Sequence, residues 1–485
     1  MSQPAYKSQI DAWIDAHMED MTADLSALIR IPSVRGEAKE GKPYGKQCAD
    51  ALLQMQQLME EGGLKTRNYE NHCVAGDLYP DREKALDILV HLDVVPVSPE
   101  TWTKTEPFEP LVEGDKIYGR GSSDDKGPAV AALYALRAIR ELQIPLSHGV
   151  RLVCGSDEEC GSGDLDYYYG IEEEAAFTIS PDANYPLINI EKGRLESLVS
   201  AEGKQTEPIA DPGQVRVISV QSGDKSNVIP GSARMVLSGG AMDLYAGAAR
   251  ETENYCGVKV SVEEQEDRRV VCVEGLVGHA AYPEKGVNAL TAALWMLTRL
   301  PLAQREGEQK LLALAALWPH GDLHGQALGV NYSDPESGEL TMSLDLLQYE
   351  TKDESEDSYS LKAVFDCRAP LCANDENLTQ KIRAQLEEAG FRMEADAMTP
   401  PHCVSADSEL VQKLLDSYEL YFGERGEPLA IGGGTYVHGL QNGVAFGCAE
   451  SSVDNRMHGN DEFMKLSILS RSAKIIADAV IRLCG

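Results

Sequence analysis

Four clusters of polar side chains lie directly after predicted strands or in a neighbouring loop. They are His91 with Asp93, Asp124 with Asp125, Asp157 with Glu158 and Glu159, and Asp182. Ligands of open α/β sheets bind outside the carboxyl ends of the strands, so we expect these clusters to meet at one sheet edge. Carboxylates from separate strands repel each other unless a cation neutralises them. A histidine among them favours zinc, manganese or cobalt over calcium or magnesium.

Each cluster also has an ordinary structural explanation. A single histidine such as His91 is more often a satisfied core residue than a ligand. Asp182 follows Pro181 and suits a turn, while Asp124 suits the N-cap of a helix. Four such clusters at successive strand ends are harder to explain in this way, and their lack of cysteine argues against a closed structural zinc site.

The elements that must position these clusters alternate between strand and helix. Apolar, β-branched segments at 86–96, 149–155 and 174–180 predict buried strands, and the apolar face of 129–143 predicts a helix between the first two. An amphipathic helix is predicted for 10–31, ended by Pro32. This alternation is typical of an α/β fold with a doubly wound, mainly parallel sheet.

The sequence pattern changes near Leu187. From there to about Met398, segments alternate apolar with polar residues, as half-exposed antiparallel strands do. We therefore predict a catalytic domain in two parts, residues 1–188 and 399–485. An α+β lid domain, residues 189–398, is inserted between them.

Length and charge limit the classes of function. A chain of 485 residues predicts two or three domains. Its formal charge of −34 argues against nucleic acid or an anionic membrane as partner, because both need a basic surface. We expect no membrane span and no signal peptide, since no apolar run has the required length. The 11 cysteines, without a CxxC pair, predict a reduced, cytoplasmic protein.

Seven motifs occur in the order found in the dinuclear-metal peptidases, a family that includes acetylornithine deacetylase, carboxypeptidase G, carnosinase and peptidase V. The motifs are HLDVVP, GRGSSDDKGP, DEECGS, SPDA, GHAAYPEKGVNAL, FDCRAP and MHGNDEF. The chain resembles this family over essentially its whole length. Its long insert and the segment IGGGTYVHG resemble the peptidase V type most.

The resemblance implies two divalent cations with a shared ligand set. One cation is held by His91 and Asp182, the other by Glu159 and His458, and Asp124 bridges both. Asp93 is expected to hydrogen-bond the second ring nitrogen of His91 and fix its tautomer. The peptide between Asp124 and Asp125 is expected to be cis. Zinc is the favoured cation, with manganese and cobalt as alternatives.

The resemblance also implies that Glu158 is the general base, which takes a proton from water and passes it to the leaving amine. The alternative for Glu158 is an outer ligand, and Asp157 is expected to support the turn.

In the insert, His279 is expected to stabilise the oxyanion, with Asn227 assisting or binding substrate. Arg368 is expected to bind the substrate's C-terminal carboxylate, and the Gly-rich loop to form an anion pocket. The loop residues concerned are Gly433, Gly434 and Thr435. The alternatives are a structural role for His279, a turn position for Asn227, a surface ion pair for Arg368 and a flexible turn for the Gly-rich loop.

The resulting hypothesis is a metal-dependent dipeptidase that acts on short peptides with a free C-terminus. An N-acyl-amino-acid deacylase or a β-alanyl dipeptidase of the carnosinase type would share all the metal chemistry. A non-catalytic peptide- or metal-binding relative would be expected to lack Glu158, which is present. The length of the insert favours a self-sufficient monomer, and a homodimer stays open.

Overall fold

The chain is known from a computed structural model, which describes residues 6–205, 213–351 and 358–485. It divides into two compact units. Unit 1 comprises Met1–Ile190, Cys403–Leu429 and Gly434–Gly485, and unit 2 comprises Glu191–His402 and Ala430–Gly433. The predicted insert, 189–398, corresponds to the long segment of unit 2, and residues 430–433 also belong to this unit.

The helices of the described residues are numbered in chain order. They are α1 (Lys7–Ala16), α2 (Met18–Ile29), α3 (Lys46–Glu61), α4 (Lys126–Glu141), α5 (Gly163–Tyr169), α6 (Met242–Cys256), α7 (Ala289–Leu297), α8 (Glu306–Leu317), α9 (Gln380–Glu388), α10 (Glu409–Phe422) and α11 (Leu466–Cys484). Short 3₁₀ and π turns occur beside several of them.

The strands are numbered in the same way. In the first part of the chain they are β1 (Lys65–Tyr69), β2 (Cys73–Leu78), β3 (Lys84–His91), β4 (Leu111–Glu113), β5 (Lys116–Tyr118), β6 (Gly149–Gly155), β7 (Phe177–Ser180), β8 (Ala183–Asn184) and β9 (Ile188–Glu191). They continue as β10 (Gly193–Lys204), β11 (Arg216–Ser222), β12 (Val228–Ile229), β13 (Ser232–Ser238), β14 (Lys259–Gln265), β15 (Arg268–Glu274), β16 (Gly278–His279), β17 (Ser333–Asp334), β18 (Gly338–Glu339), β19 (Thr341–Thr351), β20 (Ser358–Ala369) and β21 (Arg392–Met393). The last are β22 (His402–Cys403), β23 (Leu429–Ile431), β24 (Gly443–Ala445), β25 (Cys448–Ala449) and β26 (Phe463–Lys465).

The main sheet of unit 1 has the strand order β1-β2-β6-β3-β7-β24-β9-β22. The neighbours β6, β3, β7 and β24 pair in parallel. The pairs β1–β2, β2–β6 and β24–β9 are antiparallel. The predicted α/β class is confirmed, with a mixed sheet that is parallel in its central pairs.

Both faces of this sheet are covered, as a doubly wound sheet requires. In β3, Ile88 and Val90 belong to the larger core, which includes residues of α4 and α11. Leu89, which lies between them, faces a second core that includes Tyr168 of α5. Successive side chains of a strand point to opposite faces, so an unbroken apolar run marks a strand that is buried on both sides.

The N-terminal helix differs from the prediction. Residues 10–31 were expected to form one helix, but α1 and α2 are separate and meet at His17 (φ −107°, ψ 15°). The His17 ring stacks on Trp13 at 3.8 Å, and its Nδ1 lies 2.6 Å from the Trp13 carbonyl. Hydrophobic spacing does not detect this break because both helices bury their apolar residues in the same core.

Unit 2 is built on an antiparallel sheet of order β14-β15-β13-β11-β19-β20-β10-β21. Along β10, buried residues alternate with partly exposed ones, in agreement with the predicted pattern. Among the described residues, no helix has the length and apolar character needed to cross a membrane.

Candidate metal centre

The first polar cluster lies at the carboxyl edge of the parallel strands. His91 is the last residue of β3 and is aligned with Gly155, the last residue of β6. Glu158 and Glu159 follow in a short 3₁₀ turn, and Asp182 lies two residues beyond the end of β7. Because β6, β3 and β7 are adjacent and parallel, these residues meet at one edge of the sheet, as predicted.

Two groups of side chains share Asp124. In the first group, His91 Nε2 lies 3.0 Å from Asp124 Oδ1 and 3.5 Å from Asp182 Oδ2. In the second, His458 Nε2 lies 2.8 Å from Asp124 Oδ2 and 3.2 Å from Glu159 Oε1. Within each group the candidate ligand atoms all lie within 4.8 Å of one another. The structure thus brings together the five residues assigned to metal binding, with one Asp124 oxygen towards each histidine.

The donor set fits two divalent cations. His91 Nε2 is buried, and no described residue forms a hydrogen bond of acceptable geometry with it, although two carboxylates face it. A buried ring nitrogen in that position is satisfied by a cation placed between it and the carboxylates. Imidazole together with carboxylate oxygens suits zinc, manganese or cobalt.

The carboxylates change the acidity of both histidines. Burial opposes protonation of His91, but the carboxylates of Asp124 and Asp182 outweigh burial and raise its pKa well above the ordinary value. The pKa of His458 is likewise raised to about 11, against desolvation, by Asp124 and Glu159. Protons on the imidazoles compete with cations for the same nitrogens, so cation binding must release them.

Burial and the neighbouring charged groups change the acidity of Glu158. Burial raises its pKa well above the ordinary value, and the carboxylates of Asp182 and Glu159 add to this effect while His91 opposes it. Among the described residues none hydrogen-bonds the Glu158 carboxylate, so both of its oxygens are available to a substrate or water. A raised pKa brings a carboxyl group closer to the range in which general bases work.

Two oxygens of Asp93 lie near the second ring nitrogen of His91. The Nδ1 atom of His91 lies 3.0 Å from the main-chain carbonyl of Asp93 and 3.5 Å from its carboxylate. The carboxylate instead accepts hydrogen bonds from the backbone N–H groups of Glu158 (3.2 Å) and Glu159 (3.1 Å). The carbonyl fixes the His91 ring, whereas the carboxylate holds the turn that carries the base. Asp93 is fully buried, so its part is positional.

Asp157 supports the same turn, as expected. Its carbonyl accepts a hydrogen bond from Ser162 N (2.8 Å), and its Oδ2 accepts one from Gly163 N (3.2 Å). Its Oδ1 lies 2.9 Å from Arg35 Nη1. Burial raises the pKa of Asp157 to about 6. Arg35 supplies positive charge beside the three adjacent acids.

Several buried residues of the site were not given a role from the sequence. Glu462 and Arg120 form an ion pair with side chains that are 0% and 3% exposed. Asp125 Oδ2 accepts a hydrogen bond from His91 N (3.1 Å), and the Asp124–Asp125 peptide is cis, as expected. Tyr436 donates its hydroxyl hydrogen to Asp164 (2.5 Å). Arg120 lies in the motif GRGSSDDKGP and Glu462 in MHGNDEF. A charged residue close to a predicted metal ligand is the sequence signal that could have identified both.

In unit 2, the structure places Asn227 and His279 side by side. Val228 of β12 pairs with His279 of β16, and Ala280 N donates to the Asn227 carbonyl (2.9 Å). Ala281 N donates to His279 Nδ1 (3.0 Å), so the proton of the neutral ring is on Nε2. This is the tautomer that a donor to an oxyanion requires.

Arg368 is more constrained than predicted. Its Nε and Nη2 donate to the two oxygens of Asp366 (2.6 and 3.0 Å), and its Nη1 donates to the Gly432 carbonyl (2.7 Å). Three of its five N–H groups therefore hold unit 2 together. Gly433 ends the second segment of unit 2, and Gly434 and Thr435 open the last segment of unit 1. A role for these three in anion binding stays a prediction.

Residues 88–482 match the model of the peptidase family M20/M25/M40, and the chain belongs to this family. It is therefore a hydrolase of the metallopeptidase class.

Individual relatives agree with this assignment. The Bacillus subtilis (strain 168) protein named "Putative dipeptidase YtjP" is 31% identical over 471 residues, which cover 96% of this chain and 97% of that protein. Human carnosine dipeptidase 1 has a similar fold, with a TM-score of 0.58, 14% identity and 99% coverage of both chains. The Saccharomyces cerevisiae di-peptidase Dug1p has a TM-score of 0.57, 13% identity and 98% coverage of both.

Proposed function

We propose that the chain is a metal-dependent dipeptidase that hydrolyses short peptides carrying a free C-terminal carboxylate. The observation that carries this proposal is Asp124, whose two oxygens face two different histidines at 3.0 and 2.8 Å. A carboxylate shared between two ligand groups favours a two-cation hydrolytic site. The dipeptidase name of YtjP, which is similar over nearly the whole chain, supports the substrate class.

The proposed cations are zinc, with manganese and cobalt as alternatives. His91 and Asp182 would hold one, Glu159 and His458 the other, and Asp124 both. When bound, they would polarise the scissile carbonyl and lower the pKa of a water molecule.

We assign proton transfer to Glu158. Its carboxylate would accept the proton of the attacking water and donate it to the nitrogen of the leaving amine. Asp93 holds the backbone N–H groups of Glu158 and Glu159 on one carboxylate. The spacing between the base and its neighbouring ligand is thereby maintained.

The residues of unit 2 are proposed to act on the substrate. His279 would donate its Nε2–H to the oxyanion, since its Nδ1 is already an acceptor. Arg368 would use its two remaining N–H groups for the C-terminal carboxylate, assisted by Asn227 and the Gly-rich loop.

The test is turnover by chelator-treated protein reconstituted with zinc, manganese or cobalt. The substrates are dipeptides, tripeptides, β-alanyl dipeptides and N-acetyl amino acids. We expect dipeptides to be cleaved fastest. Glu158→Gln should lower kcat by ~10²–10⁴-fold while cation binding is retained. The exposed residue Glu173, changed to Gln, is the matched control and should leave kcat unchanged.

Three outcomes would contradict the proposal. Faster cleavage of N-acetyl amino acids would make the chain a deacylase, and a strict requirement for a β-alanyl residue would make it a carnosinase-type dipeptidase. Peptide binding without turnover by either wild type or Glu158→Gln would make it a binding protein.

We further propose a cytoplasmic monomer. The 11 cysteines are all free, which supports a reducing compartment. Light scattering coupled to gel filtration tests the oligomeric state, and a mass of twice 52.8 kDa would contradict the monomer.

A further inference from the structure

The two histidines of the candidate metal centre are held very differently. The His91 side chain is 1% exposed and ends a central strand, whereas the His458 side chain is 52% exposed and lies in a loop. Side-chain packing therefore fixes His91 but not His458. The position of His458 depends on the backbone of its loop.

That backbone is strained. Arg456, His458 and Asp461 have φ values of 58°, 59° and 56°, in the left-handed region that residues with a Cβ rarely occupy. Such conformations persist only where the surrounding contacts impose them. Something next to the loop must therefore hold it in place.

The contacts of Glu462 provide the restraint. Its carboxylate is fully buried and accepts four hydrogen bonds. The donors are Arg120 Nη1 (2.6 Å) and the backbone N–H groups of Gly121 (3.1 Å), Ser123 (2.8 Å) and Asp124 (3.2 Å). One end of the His458 loop is thus joined to the segment that presents the shared ligand Asp124.

Arg120 completes the connection. Its Nη2 donates to the carbonyl of Gly459 (2.9 Å), the residue directly after His458. Its Nη1 binds Glu462 at the same time. The planar guanidinium therefore spans the loop, which a lysine ammonium does not do with the same geometry.

We propose that Glu462 and Arg120 form a clamp that positions His458 against Asp124 and thereby sets the affinity of the second cation. Both are positioning residues, since neither is placed to touch substrate. The first cation is less dependent on the clamp, because His91 ends β3 and Asp182 follows closely after β7, so the clamp acts on this cation only through Asp124. This inference rests on the proposed two-cation site.

The test is calorimetric titration of zinc or manganese into chelator-treated protein, with no activity measurement. Wild type should bind two ions, and His458→Ala identifies which of the two sites the loop serves. Glu462→Gln should weaken that site by about 10- to 100-fold. It should weaken the other site by a smaller factor, measured in the His458→Ala background where the loop ligand is already absent, because that site depends on Glu462 only through the backbone of the shared ligand Asp124.

Two further variants make the result decisive. Arg120→Lys keeps the positive charge but removes the planar guanidinium, so it should weaken the same site. This variant tests the clamp if Glu462→Gln does not fold. Glu172→Gln is the matched control, because Glu172 also binds Arg151, Arg67 and Tyr69 but touches no ligand loop. It should leave both sites unchanged.

The possible outcomes distinguish failure of the clamp from failure of the proposed two-cation site. Wild type that binds fewer than two ions would overturn the two-cation site, and the clamp with it. Wild type that binds two ions would overturn the clamp alone if the Glu462 and Arg120 variants bound both ions normally. The clamp alone would also be overturned if Glu172→Gln weakened cation binding as much as Glu462→Gln does.

Discussion

The two halves of the candidate metal centre use the same ligand chemistry on different supports. His91 and Asp182 extend from adjacent parallel strands and are 1% and 13% exposed. His458 and Glu159 lie in a loop and a 3₁₀ turn, and His458 is 52% exposed. Packing in the sheet holds the first half, whereas hydrogen bonds to backbone groups hold the second. We infer that the strand half is the more rigid and the loop half the more easily disturbed.

The largest effect is expected where the halves meet. Asp124→Asn removes the negative charge that both groups share and replaces one of the two oxygens with an amide nitrogen, so both cations should bind more weakly. We expect kcat/KM to fall by at least ~10³-fold, since the main electrostatic contribution to the reaction is lost. Steady-state kinetics and metal analysis of the purified variant test this.

The control for that variant is Asp166→Asn, an exposed carboxylate of unit 1. It should match wild type in both measurements. If Asp124→Asn bound either cation with the wild-type affinity, the shared-ligand geometry would be wrong.

The stability of the chelator-treated protein compares the halves directly. His91→Ala leaves a cavity and unpaired buried carboxylates, and should lower the free energy of unfolding by about 2–4 kcal/mol. His458→Ala removes a half-exposed ring together with its ion pairs to Asp124 and Glu159, and should lower the free energy of unfolding by less than His91→Ala does, because solvent screens the pairs and no buried cavity is left. Urea denaturation in EDTA measures both. Equal losses would show that the loop half is as well packed as the strand half.

The pH dependence of stability gives the smallest and most specific effect. The folded chain raises the pKa of His458 from 6.5 to about 11. The stabilisation from its proton is therefore complete below about pH 6.5 and is lost as the pH rises towards 11. We expect wild type in EDTA to be more stable than His458→Gln at pH 7, with the difference shrinking by pH 10.

Urea denaturation at several pH values follows that difference. The raised pKa values of Glu158, Glu159 and Asp182 act in the same direction, and His458 lowers those of Glu159 and Asp182. The difference between wild type and His458→Gln therefore reports the titration of His458 together with these carboxylates. Saturating zinc should abolish the dependence, because cations replace the protons. A difference that did not vary with pH would contradict the raised pKa of His458.

The α/β fold and the meeting of the polar clusters could be predicted because they follow from local patterns. Unbroken apolar runs mark strands buried on both faces, and the polar residues directly after them must lie at the carboxyl edge. The resemblance then supplied Asp124 as the shared residue and His458 as a distant partner. No periodicity relates residue 458 to residue 124.

Other features could not be predicted because they depend on atoms that are close only after folding. The contact of His91 with the Asp93 carbonyl, rather than mainly its carboxylate, depends on how the chain turns after β3. The break at His17 and the return of residues 430–433 to unit 2 leave no mark on hydrophobic spacing.

Residue type, strand position and the family resemblance were sufficient to name the residues that could bind cations and move protons. How each of these residues is held could be seen only in the folded chain. Asp93 binds two backbone N–H groups, and Glu462 joins residues more than 300 positions apart in the chain. Hydrogen bonds to backbone groups that are distant in the sequence leave no local pattern of residues, so their partners become known only when the chain is folded.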